Sequence, residues 1–365
     1  MIDSSCILFY ELIRVSIGVS SALSFIPNCQ EWNVLYRLAM KQALIGVCFY
    51  GVQRLPKEQI VNLPMHLKLQ WLGMAASIQK RNDLMNNRCK ELQKRLKDAR
   101  INSCILKGQG IASIYFDTLC NLRQPGDIDV WVEGGLDSVK LLATQMNQRI
   151  KVTEQHADLK FFTDVEVEVH FIPTILRSPF ANKCLHKWMK EQEKTQFSNC
   201  NGDGLFVPTL EFNMVYLMIH TYRHILGEGV GLRQVMDYYM LLSSEQISTA
   251  LKLKTMKCFR SLHIENFAAG LMWVMKEVFC LSEDYMLCVP NERHGKFLLN
   301  EIVQAGNMGH YDERLVSMKT ASKFERYLRI NIHTFRLLKY YPQETLFSPI
   351  ARMWIWAWRK KHGYL

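Results

Sequence analysis

The sequence predicts an α+β protein in which a small α/β core, with a mixed sheet and helices, is flanked by a helical N-terminal part and a large helical C-terminal part. Three observations predict this class. Apolar side chains follow helical spacing through residues 4–100, short strand-like runs alternate with helical ones near 101–175, and the chain is helical again after Pro173. The corresponding regions are 1–100, 101–175 and 176–365.

Length and composition are those of an ordinary globular protein. The 365 residues are enough for two or three packed units, and 48% of them are hydrophobic and 22% charged. No apolar run reaches the about 18 residues that a membrane-spanning helix needs, and the N-terminus lacks the basic start of a signal peptide. Eleven cysteines without a Cys-x-x-Cys pair are expected to be reduced thiols, so the sequence predicts a cytoplasmic protein.

The elements follow in order along the chain. Residues 58–98 predict a long helix with apolar side chains every three or four positions, and 111–119 and 136–149 predict the helices of the core. Strands are predicted where Val, Ile and aromatic residues are concentrated, at 104–106, 127–132, 158–162 and 164–171. The clearest helices of the C-terminal part are 209–226, 232–242, 248–281 and 321–340, before an aromatic and basic end at 349–361.

Two carboxylates stand out on one of these strands. Asp127 and Asp129 are two residues apart, so both side chains point to the same side, about 7 Å apart along the strand. Two negative charges this close repel each other unless a cation lies between them. Mg²⁺ is the natural cation because it binds carboxylate and phosphate oxygens, and Mn²⁺ is the alternative.

A third carboxylate is predicted on the strand 164–171, which alternates strictly between apolar and polar residues. The apolar side carries Val165, Val167 and Val169, and the polar side carries Glu166, Glu168 and His170. We select Glu168 as the third metal-binding residue, with Glu166 as the alternative. A Glu beside the Asp pair completes a two-metal site, in which one metal activates the acceptor oxygen and the other holds nucleotide phosphates.

The segment Leu106-Lys-Gly-Gln-Gly110 lies where the first predicted strand ends and a helix begins. Free backbone N–H groups at a helix N-terminus bind anions, and Gly108 lets a phosphate approach the backbone closely. Lys107 adds a point charge for a triphosphate, and Arg123 adds a bidentate clamp from just before the Asp pair. The sequence therefore predicts a nucleotide-binding group of Lys107, Gly108, Gln109 and Arg123.

These segments together resemble a known family. Its motifs match Leu-Lys-Gly at 106–108, Tyr115, Arg123, Asp-Ile-Asp at 127–129 and Val-Glu-Val-His-Phe at 167–171. They resemble the nucleotidyltransferases of the DNA polymerase β-like superfamily, and more narrowly its uncharacterised bacterial branch, in which Lys-Gly stands where better-known members have Gly-Ser. The resemblance implies a nucleotidyltransferase-type core, metal binding and catalysis by Asp127, Asp129 and Glu168, and a phosphate loop at Lys107 and Gly108.

The resemblance implies a Mg²⁺-dependent (or Mn²⁺-dependent) enzyme that transfers NMP from an NTP such as ATP to an acceptor. The acceptor stays open among a sugar, a lipid-linked glycan, RNA and protein. The missing Gly-Ser leaves a second hypothesis, a catalytically degenerate nucleotide-binding or scaffolding protein with the same fold. A remoter third hypothesis is a toxin-like enzyme that nucleotidylates tRNA or protein.

The C-terminal part is strongly basic. Ten Lys or Arg and two Glu lie within residues 319–365. A basic surface allows RNA as a partner, although a solubilising role is an equal alternative. The aromatic end at 349–361 favours a packed segment, with a peripheral membrane contact as the lesser alternative.

Three further patterns have ordinary structural interpretations. His220 and His224 are four apart on a predicted helix, and we expect structural or solvated side chains rather than metal ligands. Arg233 and Asp237 are also four apart, which favours a helix ion pair over an arginine that reaches the nucleotide. The glycines of 227–231 follow a helix, not a strand, so a turn is expected there rather than a phosphate loop.

Overall fold

The computed structural model describes residues 4–116, 118–244, 247–312 and 323–364. It has the predicted class, with one mixed sheet between helical parts. The strands are β1 (Ser103–Ile105), β2 (Ile128–Val132), β3 (Lys151–Val152), β4 (His156–Asp158) and β5 (Val167–His170). The helices are α1 (Ser4–Ser16), α2 (Cys29–Lys41), α3 (Ile45–Arg54), α4 (Met65–Asp98), α5 (Lys107–Ala112), α6 (Leu119–Leu122), α7 (Gly135–Gln145), α8 (Pro179–Gln196), α9 (Leu210–Gly227), α10 (Leu232–Ser244), α11 (Thr249–Ser261), α12 (Glu265–Phe279), α13 (Glu292–Ala305), α14 (Lys323–Phe335) and α15 (Pro342–Lys361).

Helix α4 joins the helical body to the sheet through one long amphipathic pattern. Its 34 residues span about 51 Å. Near its start, Leu67 and Trp71 are buried in a hydrophobic cluster formed with helices from both ends of the chain. Near its end, Cys89, Leu92 and Leu96 are fully buried under the sheet. Full burial of one leucine side chain contributes about 1.5–3 kcal/mol, so this helix anchors the sheet to the helical body.

The helices before and after the sheet pack together. Helix α1 packs against α2, α3 and α12, and the side chains of α9, α10, α12 and α13 continue the same hydrophobic cluster. Fully buried Trp32, Tyr238 and Phe267 are among its largest members. The division into regions 1–100, 101–175 and 176–365 describes the order along the chain and stays a prediction.

The sheet has the strand order β1-β2-β5-β4-β3. Strands β2 and β5 are parallel, whereas the other neighbouring pairs are antiparallel, so the sheet is mixed as predicted. One face packs on α4 and α7 and carries Ile128, Val130, Val132, Ala157, Val167 and Val169. Because side chains alternate along a strand, the intervening residues of β2 and β5 face the helical C-terminal part.

Two core predictions were wrong. The segment 158–162 is not a strand beyond Asp158, because the amide of Phe161 donates to the carbonyl of Leu159 and turns the chain out of the ladder. The segment 111–119 is not one helix, since α5 ends at Ala112 and α6 begins only at Leu119. Strand β3 was not predicted at all, because two residues carry no recognisable alternation.

The C-terminal part also differs from the prediction. The expected helix 321–340 ends at Phe335, and residues 321–322 lie outside the described part of the chain. The expected single helix 248–281 is divided into α11 and α12, with His263 between them at a φ of 57°. A left-handed residue cannot continue a right-handed helix, which explains the break. Helices α9 and α10 agree with the predicted 209–226 and 232–242 to within two residues.

Helix α15 has two different sides. Glu344, Ser348 and Arg352 line the cavity described below. On the opposite side Ile350 and Trp354 are 65% and 66% exposed. The expected packing of this segment is therefore partial, and a membrane contact stays a prediction. None of the described helices combines the length and the apolar character needed to cross a bilayer.

A candidate metal and nucleotide site

The site begins with the register of β2 and β5. Asp129 is the direct partner of Glu168 across these parallel strands, and on the far side of β5 His156 of β4 is the partner of His170. Directly paired residues project to the same face of a sheet, so these four polar side chains lie together. The alternation of 164–171 therefore predicted the correct polar face of β5.

The three predicted metal-binding residues come together. Asp127 immediately precedes β2 and shares a face with Asp129. One carboxylate oxygen from each of Asp127, Asp129 and Glu168 lies within 4.8 Å of the others. The reserve choice, Glu166, is exposed and outside this group. A second group able to hold a metal ion, formed by His156, Glu168 and His170, shares Glu168 with the first.

Asp129 is buried, with 2% of its side chain exposed. Its Oδ1 lies 2.9 Å from Lys107 Nζ and 2.8 Å from His170 Nε2. Burial alone lowers the pKa of both basic groups, but attraction to Asp129 outweighs it, so the pKa of Lys107 and that of His170 are raised. Asp129 thus holds two basic side chains at the centre of the site.

Glu168 lies beside this pair and is also flanked by histidines. Its Oε2 is 3.5 Å from His170 Nε2 and 3.3 Å from His156 Nδ1. Burial raises the pKa of Glu168, yet the hydrogen bond from His170 and the charge of His156 outweigh it and the pKa is lowered. Glu168 is therefore a carboxylate near neutral pH, as a metal ligand has to be.

The predicted loop after β1 has an unusual backbone. Lys107 and Gly108 have φ values of 27° and 44°, in the region that favours glycine. A Cβ atom on Gly110 would lie 2.2 Å from the carbonyl oxygen of Ile105, so this position admits only glycine. The close packing of Gly110 brings Lys107 beside Asp129 and Gly108 beside the carbonyl of Asp127.

Two members of the predicted nucleotide-binding group are engaged elsewhere. Gln109 is 4% exposed and donates to Asn86 of α4 over 2.6 Å, away from the cavity. Arg123 is also 4% exposed, and its Nε and Nη2 donate to the two oxygens of Asp237 over 2.6 and 2.8 Å. Asp237 therefore occupies the Nε and Nη2 side of this guanidinium, while Arg123 lines the cavity and its buried Nη1 has no hydrogen-bond partner among the described residues. A phosphate role for Arg123 stays a prediction.

Arg233, unlike Arg123, does not bind Asp237. The expected ion pair with Asp237 is replaced, since Asp237 binds Arg123 and accepts from the hydroxyl of Tyr115 over 2.7 Å. Arg233 donates instead to the carbonyl of Gln124 over 2.9 Å, and its buried Nε has no hydrogen-bond partner among the described residues. Burial, reinforced by the charge of Arg123, lowers the pKa of Arg233 to about 10.

Comparison with known proteins agrees with this geometry. Residues 28–279 match the model of a protein family described as uncharacterised nucleotidyltransferase. The chain belongs to this family. Membership supports nucleotidyl transfer from an NTP as the general function, and the carboxylates of Asp127, Asp129 and Glu168 can hold the divalent metal that nucleotidyltransferases commonly use. Neither a curated protein nor a solved structure matches the chain.

The nucleotidyltransferase core opens into a cavity of about 480 Å³ between the sheet and the C-terminal helices. His220 and His224 both line it, with ring centroids 4.4 Å apart. Neither belongs to a metal-binding group among the described residues, and their structural role stays a prediction. Arg177, Arg223 and Arg352 also line this cavity, and no local pattern predicted them, because each comes from a different element.

His220 predicts a loss of stability in mild acid. Burial, reinforced by the charge of Lys107, holds the pKa of His220 well below 6.5, so the folded protein keeps it neutral. The unfolded chain binds this proton as the pH falls below about 6.5, so the free energy of unfolding decreases there. We expect the decrease in Tm between pH 7.5 and 5.5 to be smaller in a His220→Gln variant.

The control for this prediction is His263→Asn. His263 is exposed and its φ of 57° suits asparagine, so this variant should keep the pH dependence of the native protein. Equal slopes of Tm against pH for the native and His220→Gln proteins would contradict the assignment.

Proposed function

We propose that the protein is a Mg²⁺-dependent nucleotidyltransferase, with Mn²⁺ as the alternative cation, that transfers NMP from an NTP to an acceptor. The observation that carries this proposal is the convergence of Asp127, Asp129 and Glu168 on two parallel strands at the floor of the cavity. Family membership supports the type of reaction. The proposal includes the identities of the cation, the nucleotide and the acceptor.

The donor set suits a hard divalent cation. Three carboxylates whose oxygens lie within 4.8 Å of one another match the preference of Mg²⁺ for oxygen ligands. When bound, the cation supplies positive charge to phosphate oxygens and lowers the pKa of an acceptor hydroxyl. Asp127, Asp129 and Glu168 would hold it, and their mutual repulsion would decrease on binding.

The protein's own cations are assigned to the phosphates. Lys107 provides a flexible point charge at the edge of the carboxylate group, and Gly108 keeps the adjacent backbone open to the nucleotide. Arg233 replaces Arg123 in this proposal. Both guanidinium groups line the cavity and each has one unpaired nitrogen, but Arg123 is ion-paired with Asp237 whereas Arg233 donates to a neutral carbonyl. The acceptor hydroxyl gives its proton to solvent and its oxygen forms a bond to the α-phosphorus. The bond from that phosphorus to the bridging oxygen breaks, and pyrophosphate leaves with the electron pair.

The test is a comparison of binding and turnover in the purified protein. We expect at least one of the four NTPs to bind when Mg²⁺ or Mn²⁺ is present, and to bind much more weakly when EDTA replaces the metal. Calorimetric titration measures the binding, and a coupled pyrophosphate assay measures turnover with candidate sugar, lipid-linked, RNA and protein acceptors. Absence of metal-dependent binding for all four NTPs would reject the proposal.

One observation favours a second candidate function, a nucleotide-binding or scaffolding protein without transferase activity. Lys107 and His170 already occupy Oδ1 of Asp129, so one metal-binding oxygen is engaged by the protein itself. This candidate predicts metal-dependent NTP binding without pyrophosphate release for every acceptor offered. Pyrophosphate release that requires Asp127 would exclude it.

The setting of the reaction is proposed from the sequence. None of the cysteines in the described part of the chain forms a disulfide, which suits a cytoplasmic location. The basic C-terminal part supports RNA as one possible acceptor, and the exposed apolar side of α15 supports a membrane-bound one.

A further inference from the structure

Three arginines line one wall of the cavity and are not required for the metal or nucleotide roles proposed above. Arg177 precedes α8, Arg223 belongs to α9 and Arg352 belongs to α15. The side chains of Arg177 and Arg223 are each 20% exposed. Cations drawn from three separate elements into one cavity indicate a binding function, because their desolvation and mutual repulsion oppose folding.

Two carboxylates near this wall, Glu154 and Glu344, offset its three positive charges only in part. Glu154 forms an ion pair with Arg177 at 2.6 Å and lies 3.7 Å from Arg223. Glu344 accepts from the backbone amides of Arg177 and Ser178 over 2.6 and 2.9 Å, so both of its oxygens bind main-chain groups. One carboxylate is thus shared directly between two guanidinium groups.

Arg352 is the least compensated of the three. Its two terminal nitrogens donate to Asn331 Oδ1 over 2.7 Å and to Thr334 Oγ1 over 3.1 Å, which are neutral acceptors. Within the described part of the chain, no Asp or Glu forms an ion pair with it. Burial, reinforced by the charge of Arg177, lowers the pKa of Arg352 to about 10, and burial and Arg177 also lower the pKa of Arg223. A bound anion would relieve this repulsion.

The sheet order locates the arginine wall relative to the carboxylates. Lys107 and Gly108 follow β1, on one flank of β2 and β5, whereas Glu154 and Gln155 precede β4, on the other flank. Arg177 binds Glu154, and Arg223 binds Glu154 and also donates to Gln155. The arginine wall is therefore on the Glu168 side of the site, on the opposite flank of the sheet from Lys107 and Gly108.

We propose that the acceptor carries a phosphate group and that Arg177, Arg223 and Arg352 bind it. This inference rests on the proposed function, which assigns the flank of Lys107 and Gly108 to the donor nucleotide. The planar guanidinium group matches two phosphate oxygens at once, and three of them suit a dianionic phosphomonoester. The arginines position the acceptor and make no bond to the transferred group.

The experiment uses inorganic phosphate and glycerol 3-phosphate as probes of the full-length protein. Calorimetric titration in EDTA should detect binding of both probes, because the arginines need no metal. This binding should persist in Asp127→Asn and when a non-hydrolysable NTP with Mg²⁺ is present at saturation. Arg352→Gln should weaken probe binding about tenfold or more, since it removes charge-assisted hydrogen bonds to the anion.

Matched variants separate binding from folding. Lys361→Gln removes a positive charge from the exposed end of the same helix and should leave probe binding unchanged. Arg352→Lys keeps the charge without the planar fork and should bind with intermediate affinity. Circular dichroism and Tm establish that each variant is folded before its affinity is compared.

Two results would overturn the inference. If neither probe binds in EDTA, the arginine wall is not a phosphate site. If the non-hydrolysable NTP displaces the probes, the arginines serve the donor triphosphate and not the acceptor. Failure of the proposed function is distinguishable, because metal-dependent NTP binding would be absent while the probes still bind.

Discussion

Replacing Asp127 with Asn is expected to weaken the binding of a Mg²⁺–NTP complex at least about a hundredfold and to abolish any pyrophosphate release. Loss of residues that only support a metal ligand costs about 10–100-fold in metal affinity or activity, so loss of a ligand itself should cost at least the larger figure. Calorimetric titration of each NTP in Mg²⁺ measures the affinity. The pyrophosphate assay measures turnover.

The same substitution should leave the fold intact. Among the described residues, no hydrogen bond to the carboxylate of Asp127 is formed, whereas Asp129 binds both Lys107 and His170. Asparagine at position 127 removes a negative charge close to Asp129 and Glu168, so it relieves repulsion. We therefore expect the Tm of Asp127→Asn to equal or exceed that of the native protein.

Asp158→Asn is the matched control for this experiment. Asp158 pairs with Glu168 across β4 and β5 and belongs to neither group that can hold a metal ion. Its side chain is 53% exposed and lies 3.7 Å from His156, so the control removes one negative charge from the same sheet without replacing a proposed ligand. Native affinity in Asp127→Asn, or an equal loss in Asp158→Asn, would contradict the assignment.

Local periodicity explains why the centre of the site could be predicted. Alternation along a strand needs only neighbouring residues, so it indicated that Asp127 and Asp129 share a face and that Glu168 lies on the polar side of β5. The structure has that arrangement, with Asp129 directly opposite Glu168. The sequence also indicated the mixed α/β core between helical parts, because apolar side chains recur at different spacings in helices and in strands.

Contacts between distant residues explain what could not be predicted. Arg123 was expected to bind phosphate, but it pairs with Asp237, which is 114 residues away in sequence. Arg233 was expected to pair with Asp237 at helical spacing, and that partner was taken by the distant arginine. No local pattern reports such competition, since it is decided by the packing of α10 against the loop before β2.

The Arg123–Asp237 pair predicts the largest effect on stability. Both side chains are buried, at 4% and 6% exposed, and two parallel hydrogen bonds join them. Removing one partner of a buried ion pair leaves the other charge unpaired and costs about 3–5 kcal/mol. We expect Asp237→Leu to reduce the free energy of unfolding by about this amount, measured by urea denaturation and by Tm.

Asp237→Leu should be more destabilising than Arg123→Met. Without Asp237, the buried guanidinium of Arg123 has no counter-charge and repels Arg233, whose pKa is already lowered by burial and by Arg123. Without Arg123, Asp237 still accepts from the hydroxyl of Tyr115 and lies near Arg233. The order of the two losses therefore tests whether unpaired positive charge limits stability in this part of the protein.

The double variant Arg123→Met, Asp237→Leu separates charge from packing. Replacing both partners with apolar side chains of similar size removes the unpaired charge, so stability should recover part of the loss seen in Asp237→Leu. Arg233→Met is the variant that lacks the guanidinium proposed to bind phosphate. If Arg123 only anchors the loop that leads to Asp127, the folded double variant should bind Mg²⁺–NTP more tightly than Arg233→Met. A double variant no more stable than Asp237→Leu would show instead that the hydrogen bonds themselves, and not the compensation of charge, hold α10 against this loop.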